Sequence, residues 1–449
     1  MKGGALLDSI RILQIGDVHL PEWQESLSDV DRKDKNFSKE IADDLSRPRL
    51  RGILKRLHDI ANRGEIDCVA VMGDLTSWGK TEYLHSAVDI VDTLVRRTDG
   101  SKPLMIGVPG NHDVDKGEAA SLGKAGKFKS FASAFESRGW MRPPTENCVG
   151  VNLKSRGGRS VTSLLVNTSI GSWSTHFLPG KLAGEYAEGS LDKAPIDVGI
   201  EARREIGAAG SSGLGHNRSE QLFLQMDTPY LSQRSVTTLS DKLLESDDSA
   251  AIVIAHHNLL PQRTPRILPY GELLNGGYFR QLLHSSNRNI VYLHGHIHED
   301  PIEVISVPGN KVSGQDERKL ITISAPALSD GFNEITLFFG SDNDVFLVRV
   351  TKYRPNDFNV IGNYSDQDTV YIPLKRHLNE LITGDAKKLW QKVKELKVAN
   401  WPQIVPEAEK LGVDEDELEV ILLKLFCCGL VMIGQLGRPR FKWILECVE

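Results

Sequence analysis

The chain alternates between short, wholly apolar runs and longer segments that are apolar on one side. Nine short runs read as buried strands: Ile10–Ile15, Cys68–Met72, Leu104–Val108, Val161–Val166, Ala251–Ala255, Ile290–Leu293, Leu320–Ile323, Ile335–Phe339 and Val345–Val350. Two amphipathic patterns separate the first three. Arg49–Arg63 carries Leu50, Ile53, Leu54, Leu57 and Ile60 at helical spacing. Tyr83–Val95 carries Leu84, Ala87, Val88, Val91, Leu94 and Val95 in the same way. Alternating strands and helices predict an α/β arrangement. The later strands follow without long helices between them, which predicts a second sheet packed on the first. The expected core is therefore a two-sheet β-sandwich flanked by helices.

Two stretches break this rhythm. From Gly171 to about Ser232 the chain turns rich in Gly, Ser and Ala, too long for an ordinary connection. It reads either as a cap over an active site or as a plain insertion. Its GSSGLG segment is not a phosphate loop, because no Gly-Lys-Ser/Thr follows. Near the C-terminus, Ala386–Leu396, Ile404–Leu411 and Asp414–Cys428 have helical spacing. Strand-like Leu430–Gly434 and Arg440–Leu445 then flank a turn at Gly437 and Pro439. Three helices and a two-stranded ribbon predict a small α+β, winged-helix-like domain over 373–449, following a main domain over 1–372.

Charge and cysteine content narrow the classes. The 449 residues include 54 Lys and Arg against 60 Asp and Glu, a formal net charge of −6. A dedicated nucleic-acid binder usually has a basic excess. The five cysteines are odd in number and form no CxxC pair, which argues against a disulfide framework or a thiolate zinc site. Met1–Ser9 lacks a signal-peptide pattern, and no run approaches the 18 apolar residues of a membrane span. The expectation is a cytoplasmic protein with no membrane partner.

Five polar clusters each follow a predicted strand: Gly16-Asp17-Val18-His19, Gly73-Asp74, Gly110-Asn111-His112-Asp113, His256-His257 and Gly295-His296-Ile297-His298. In open α/β sheets ligands bind at the carboxyl ends of strands. A carboxylate and an imidazole two residues apart can turn onto one metal ion once the strand ends. Strand alternation would put His296 and His298 on one side. Any one cluster is ordinary turn chemistry. All five together hold six of the thirteen histidines, and that joint pattern points to a metal centre. His294 reads as a strand residue.

With these clusters in order as GDVH, GDLT, GNHD, AHHN and GHIH, the chain resembles the calcineurin-like metallophosphoesterases over roughly 10–350. The segments GDLTSWGKTEY and PGNHDV look closest to the branch containing cyclic-nucleotide phosphodiesterases. The long insertion and the C-terminal unit depart from the compact members.

The resemblance implies two divalent metal ions. Asp17, His19 and His298 would hold the first. Asn111, His256 and His296 would hold the second, and Asp74 would bridge them. His112 would stand beside the substrate as general acid. Asp113 would be structural or would support a ligand, and His257 would support a ligand or touch substrate. Mixed imidazole, carboxylate and amide donors suit manganese first, with iron, zinc, nickel or magnesium as alternatives.

Three functions fit. One is a phosphodiesterase on a cyclic nucleotide or other small diester. The second is a nuclease to which the C-terminal unit brings DNA or RNA. The third is a metal-bound scaffold acting through protein partners. From Asp385 to Glu449 there are ten Lys and Arg against eleven Asp and Glu, and the candidate recognition helix opens Asp414-Glu415-Asp416-Glu417. That balance favours a protein partner or self-association through the unit at least as much as nucleic acid.

Overall fold

A computed structural model describes residues 8–20, 48–77, 79–114, 126–172, 229–246, 248–260, 273–309, 317–340, 344–354, 365–374 and 384–448. The chain opens with three parallel strands, β1 (Ser9–Ile15), β2 (Cys68–Val71) and β3 (Leu104–Gly107). Helices α1 (Pro48–Asn62) and α2 (Thr81–Val95) connect them, and α3 (Lys129–Ser137) follows. Next come β4 (Val149–Lys154), β5 (Ser160–Leu165), α4 (Gln233–Glu245), β6 (Ala250–Ile254), α5 (Gly276–Ser285), β7 (Asn289–His294), β8 (Ile302–Val307) and β9 (Arg318–Ser324). The chain then returns to the first sheet with the antiparallel meander β10 (Phe332–Phe339), β11 (Val345–Arg354) and β12 (Ser365–Pro373).

The result is two six-stranded sheets, ordered β12-β11-β10-β1-β2-β3 and β4-β5-β6-β7-β9-β8. Ile10 and Ile12 of β1 join Ile252, Ile254, Val291 and Leu293 in the core between the sheets. Leu13 and Ile15 point the other way, into a core covered by α1, α2 and α3. Helices α4 and α5 cover the outer face of the second sheet through Leu239, Leu243, Phe279 and Leu283. A strand covered on both faces must be apolar at every position, and this is why the central strands read as unbroken runs. The two-sheet sandwich flanked by helices is the expected fold.

All nine predicted strands are present, and three further strands went unread: β4, β8 and β12. Each is an edge strand. Their residues are largely half-exposed where described, as along β4 and β8, so no apolar run marks them. Helices α3, α4 and α5 also went unread. The predicted insertion at 171–232 lies outside the described residues apart from 171–172 and 229–232.

The C-terminal stretch forms α6 (Asp385–Leu396), β13 (Val398–Asn400), α7 (Trp401–Lys410), α8 (Glu415–Cys427), β14 (Val431–Gly434) and β15 (Ile444–Cys447). Two corrections follow. The sheet has three antiparallel strands in the order β13-β15-β14, not two, because β13 is too short to leave a periodic signal. Arg440–Lys442 is a 3-10 turn after Pro439, so the last strand begins only at Ile444. The acidic run at 414–417 is helix-start chemistry. Asp414 Oδ1 caps the Glu417 N–H at 2.8 Å, and the three acids after it favour the positive end of the helix dipole.

The apolar core of this unit, with Leu389, Trp401, Ile404, Leu422 and Trp443, runs on into Phe338, Phe346 and Leu347 of β10 and β11. Phe338 pairs with Ser9, at the start of β1. The unit packs on the outer strands from the row of Ser9, and its turn at Gly437 reaches Thr369 of β12, in the row of Leu13, four residues short of Asp17 along the strand direction and three strands to the side. Truncating Leu422, which is fully buried, to Ala should cost about 2–5 kcal/mol in urea unfolding. Manganese titration of the folded variant should match the parent chain, since the cavity opens in a core that holds none of the metal-ligand candidates.

Candidate metal centre

All five clusters lie just beyond strand ends. Backbone hydrogen bonds join the loop after β1 to that after β2, and the loop after β7 to that after β6. Val18 N–H and His19 N–H both donate to the Asp74 carbonyl, at 2.8 and 2.9 Å, and Gly295 N–H donates to the His256 carbonyl at 3.0 Å. Two glycines permit this approach. A Cβ on Gly73, which sits at φ +95°, would lie 2.5 Å from Gly110 N and 2.8 Å from His256 Nδ1. A Cβ on Gly110 would lie 2.0 Å from Asp74 Oδ1.

The backbone is strained at this site. Seven described non-glycine residues have positive φ, and four of them are His19 (53°), Asp74 (50°), His296 (69°) and His298 (56°). Such conformations cost about 1–3 kcal/mol each and persist where the surroundings impose them.

Asp74 is the centre of the arrangement. It is 1% exposed. Its Oδ1 accepts the His112 N–H at 2.8 Å. Its Oδ2 lies 3.3 Å from His256 Nε2 and 4.0 Å from His19 Nε2. Asp17, His19 and His298 bring one donor atom each within 4.8 Å of one another, as do Asp17, Asp74 and His256. His19 Nε2 and His298 Nε2 are 3.0 Å apart. His256 Nε2 is 3.1 Å from Asn111 Oδ1. His256, His257 and His296 form a third such group.

Strand alternation does not place His296 and His298 together, contrary to expectation. Strand β7 ends at His294, and both residues follow in left-handed loop conformations. His296 joins the His256 group and His298 the Asp17 group.

Burial and mutual repulsion set the charges. Asp17 is pushed up to about 7, first by burial, against the pull of His256 and with the repulsion of Asp74. Asp113 is pushed up to about 8 by burial and by Asp74. For Asp74 burial is outweighed by His256, His112 and His19, which hold its carboxyl well below the usual range. His256 is raised to about 9: burial opposes its charge, but Asp74 more than offsets this.

These residues fit a pair of cations. His256 Nδ1 faces the Met72 carbonyl at 2.7 Å and must carry the proton there. Its Nε2 lone pair then confronts the Asn111 carbonyl oxygen and the Asp74 carboxylate. Acceptors facing acceptors need a proton or a metal ion between them. An imidazole fixed through its other nitrogen is the usual arrangement of a metal ligand.

His112 stands apart from the three donor groups. Its Nδ1 is 3.2 Å from the Ser77 carbonyl, and its ring is 5.3 Å from that of His19. It is partly exposed, so Nε2 is left for a substrate. Asp113 staples the loops: it accepts the Thr76 N–H at 3.1 Å and the Gly110 N–H at 2.9 Å.

Several supporting residues were not legible as such. Gln14 lies on the inner face of β1, wholly buried. Its Nε2 donates to the carbonyls of His294 and Ile323 at 3.1 and 2.9 Å, and its Oε1 accepts Asn333 Nδ2 at 2.8 Å. It thus ties the two sheets together beneath the metal ligands. Arg354 donates to Asn333 Oδ1 at 2.8 Å and, through Nε and Nη2, to Asp300 Oδ2 at 2.9 and 2.6 Å. Asp300 lies two residues past His298, so this pair anchors the loop. The only sequence signal was a polar side chain inside an apolar run.

The calcineurin-like phosphoesterase family model matches residues 10–300, well over half of the chain. The chain belongs to that family, whose members are metal-dependent phosphoester hydrolases with a dinuclear divalent metal site. Among solved structures it is similar to a dimetal phosphatase from Danio rerio, at 12% identity and TM-score 0.40, covering 82% of this chain and 99% of that one. It is similar to GAP50, the anchor in the inner membrane complex of Plasmodium, at 11% and 0.40, covering 83% and 90%. It is also similar to the purple acid phosphatase PPD1 from yellow lupin (Lupinus luteus), at 12% and 0.39, covering 81% and 54%. No curated protein matches the chain.

Two tests follow from this geometry. Asp17, Asp113 and His256 all have folded values above their ordinary ones. Their contribution to stability is full at low pH and is lost as pH rises through about 7, 8 and 9. The metal-free protein should therefore melt at lower temperature at pH 9 than at pH 7, a window above that in which the depressed His257 and His294 act with the opposite sign, and added Mn2+ should reverse the loss. Gln14→Leu removes three buried hydrogen bonds and should cost about 1–3 kcal/mol in denaturant unfolding. It should also weaken metal binding in a manganese titration.

Proposed function

We propose that the chain is a two-metal phosphodiesterase acting on a cyclic nucleotide or another small diester. The observation that carries this reading is Asp74, whose one carboxylate oxygen faces both His19 and His256, with His112 beside it. Asp17, His19, His298 and Asp74 would hold one ion, and Asp74, Asn111, His256 and His296 the other. Two bound divalent ions, with manganese the first choice, supply charge to the phosphoryl oxygens and a deprotonated water near neutral pH.

The chain's own groups do the rest. Asp17 and Asp74 supply negative charge that fixes the cations. His112 Nδ1 is held by the Ser77 carbonyl, so the proton on Nε2 can go to the leaving oxygen of the substrate. Such a general acid contributes about 10²–10⁴-fold. The preference for a diester rests on the resemblance of GDLTSWGKTEY and PGNHDV to the cyclic-nucleotide branch.

The C-terminal unit supports a protein partner or self-association more than a nuclease. Its helix and strand order, α6-β13-α7-α8-β14-β15, supports the winged-helix-like reading. Its one partly sheltered wing arginine, Arg440, is already ion-paired with Glu415, Asp416 and Glu419. No helix among the described residues is long and apolar enough to cross a membrane. All five cysteines are unpaired, which supports a reducing, cytoplasmic setting.

A hydrolysis panel tests the reading, with bis-p-nitrophenyl phosphate, p-nitrophenyl phosphate, cyclic nucleotides, DNA and RNA, each with manganese. Diesters should be cleaved faster than the monoester. Asp74→Ala should abolish turnover and disturb both ions. His112→Ala should lose about 10²–10⁴-fold in turnover while keeping both ions. Faster monoester cleavage would overturn the diester assignment, and near-normal turnover by the His112 variant would remove it as the acid.

A further inference from the structure

The two-ion reading assigns no role to His257. His257 follows His256 at the end of β6 and is 1% exposed. Its position is fixed from three directions. Its carbonyl accepts the Tyr292 hydroxyl at 2.7 Å. Its backbone N–H donates to Thr168 Oγ1 at 3.2 Å, and its ring Nδ1 lies 2.9 Å from the same oxygen. Thr168 is itself fully buried. The other ring nitrogen, Nε2, is buried and has no hydrogen-bond partner among the described residues. Buried polar atoms are almost always partnered, so one that is not calls for a missing ligand.

The surroundings say which kind. His257 shares a donor group with His256 and His296, one ring nitrogen from each lying within 4.8 Å of the others. The ring centroids are 4.7 Å from His256 and 4.5 Å from His296. The nitrogen of His256 that faces the other donors is Nε2, because its Nδ1 is committed to the Met72 carbonyl. His256 Nε2 faces the Asn111 carbonyl oxygen and the Asp74 carboxylate, so a cation held among these groups would also give His257 Nε2 its missing partner.

We propose that His257 Nε2 is a further ligand of the second ion, alongside His256 and His296. The assignment rests on the two-ion reading above. It makes the two positions unlike. The first ion has two imidazoles, His19 and His298, with carboxylate oxygens. The second has three imidazoles with one amide and one carboxylate oxygen. Nitrogen-rich sites favour borderline ions such as zinc over harder ones such as magnesium. The two positions should therefore select differently among divalent metals.

The experiment is calorimetric titration of the metal-free full chain with Mn2+, on the parent protein and His257→Ala. The parent should bind two ions. The variant should bind one with unchanged affinity and the other at least tenfold more weakly, and should show a smaller rise in melting temperature on adding Mn2+. Thr168→Val is the second variant, should His257→Ala fail to fold. It keeps the ring but frees it, and should weaken the same ion. Parent protein that binds fewer than two ions would overturn the two-ion reading itself. A parent that binds two ions, with a His257 variant that binds both at parental affinity, would overturn only the role of His257.

Discussion

Three carboxylates, Asp17, Asp74 and Asp113, are buried together at the meeting point of two sheets, and the rest of the site answers that constraint. Each is about 1% exposed. Buried like charges cannot coexist without compensation. Backbone amides of His112, His296, Thr76 and Gly110 provide part of it. Imidazoles provide more, which is why His256 is driven toward its charged form. A pair of divalent cations would complete the compensation, and the lone pairs of His256 and Asn111 already point at the place where one would sit. The strained backbone at four of these residues shows that the loops, not local preference, dictate the arrangement.

The scaffold beneath is polar where a sandwich core would ordinarily be apolar. Gln14 and Asn333 of the first sheet, bonded to each other, donate to the carbonyls of His294, Ile323 and Ser324 on the second, and Arg354 continues the network to Asp300 on the loop that carries His298. A fully satisfied buried network fixes register in a way that apolar packing does not. Here it fixes the separation of Asp17 from His296 and His298, which arrive from different sheets. A site that must hold two ions at a set spacing needs that rigidity.

The C-terminal unit belongs to a different problem. Its core is continuous with Phe338, Phe346 and Leu347, so it docks on the first sheet as a packed element. None of its residues enters the three donor groups. Its acidic helix start is capping chemistry, and its Arg440 is paired with Glu415, Asp416 and Glu419.

The amino-acid sequence alone determined the central strands, the amphipathic helices α1 and α2, and the five clusters at strand ends. Those features are local: burial on both faces forces apolar runs, and chemistry at strand ends follows them directly. Edge strands β4 and β8, half-exposed and lacking such a run, were invisible for the same reason. Only the tertiary structure decided which donors share a group. His296 and His298 are two residues apart, yet they part company because left-handed turns replace the strand. Asp113 became a loop staple, and Gln14, Asn333 and Thr168 acquired roles through contacts 89 to 319 residues away in the chain. Side-chain convergence across two sheets depends on how the sheets pack, and no periodicity within a single strand encodes it.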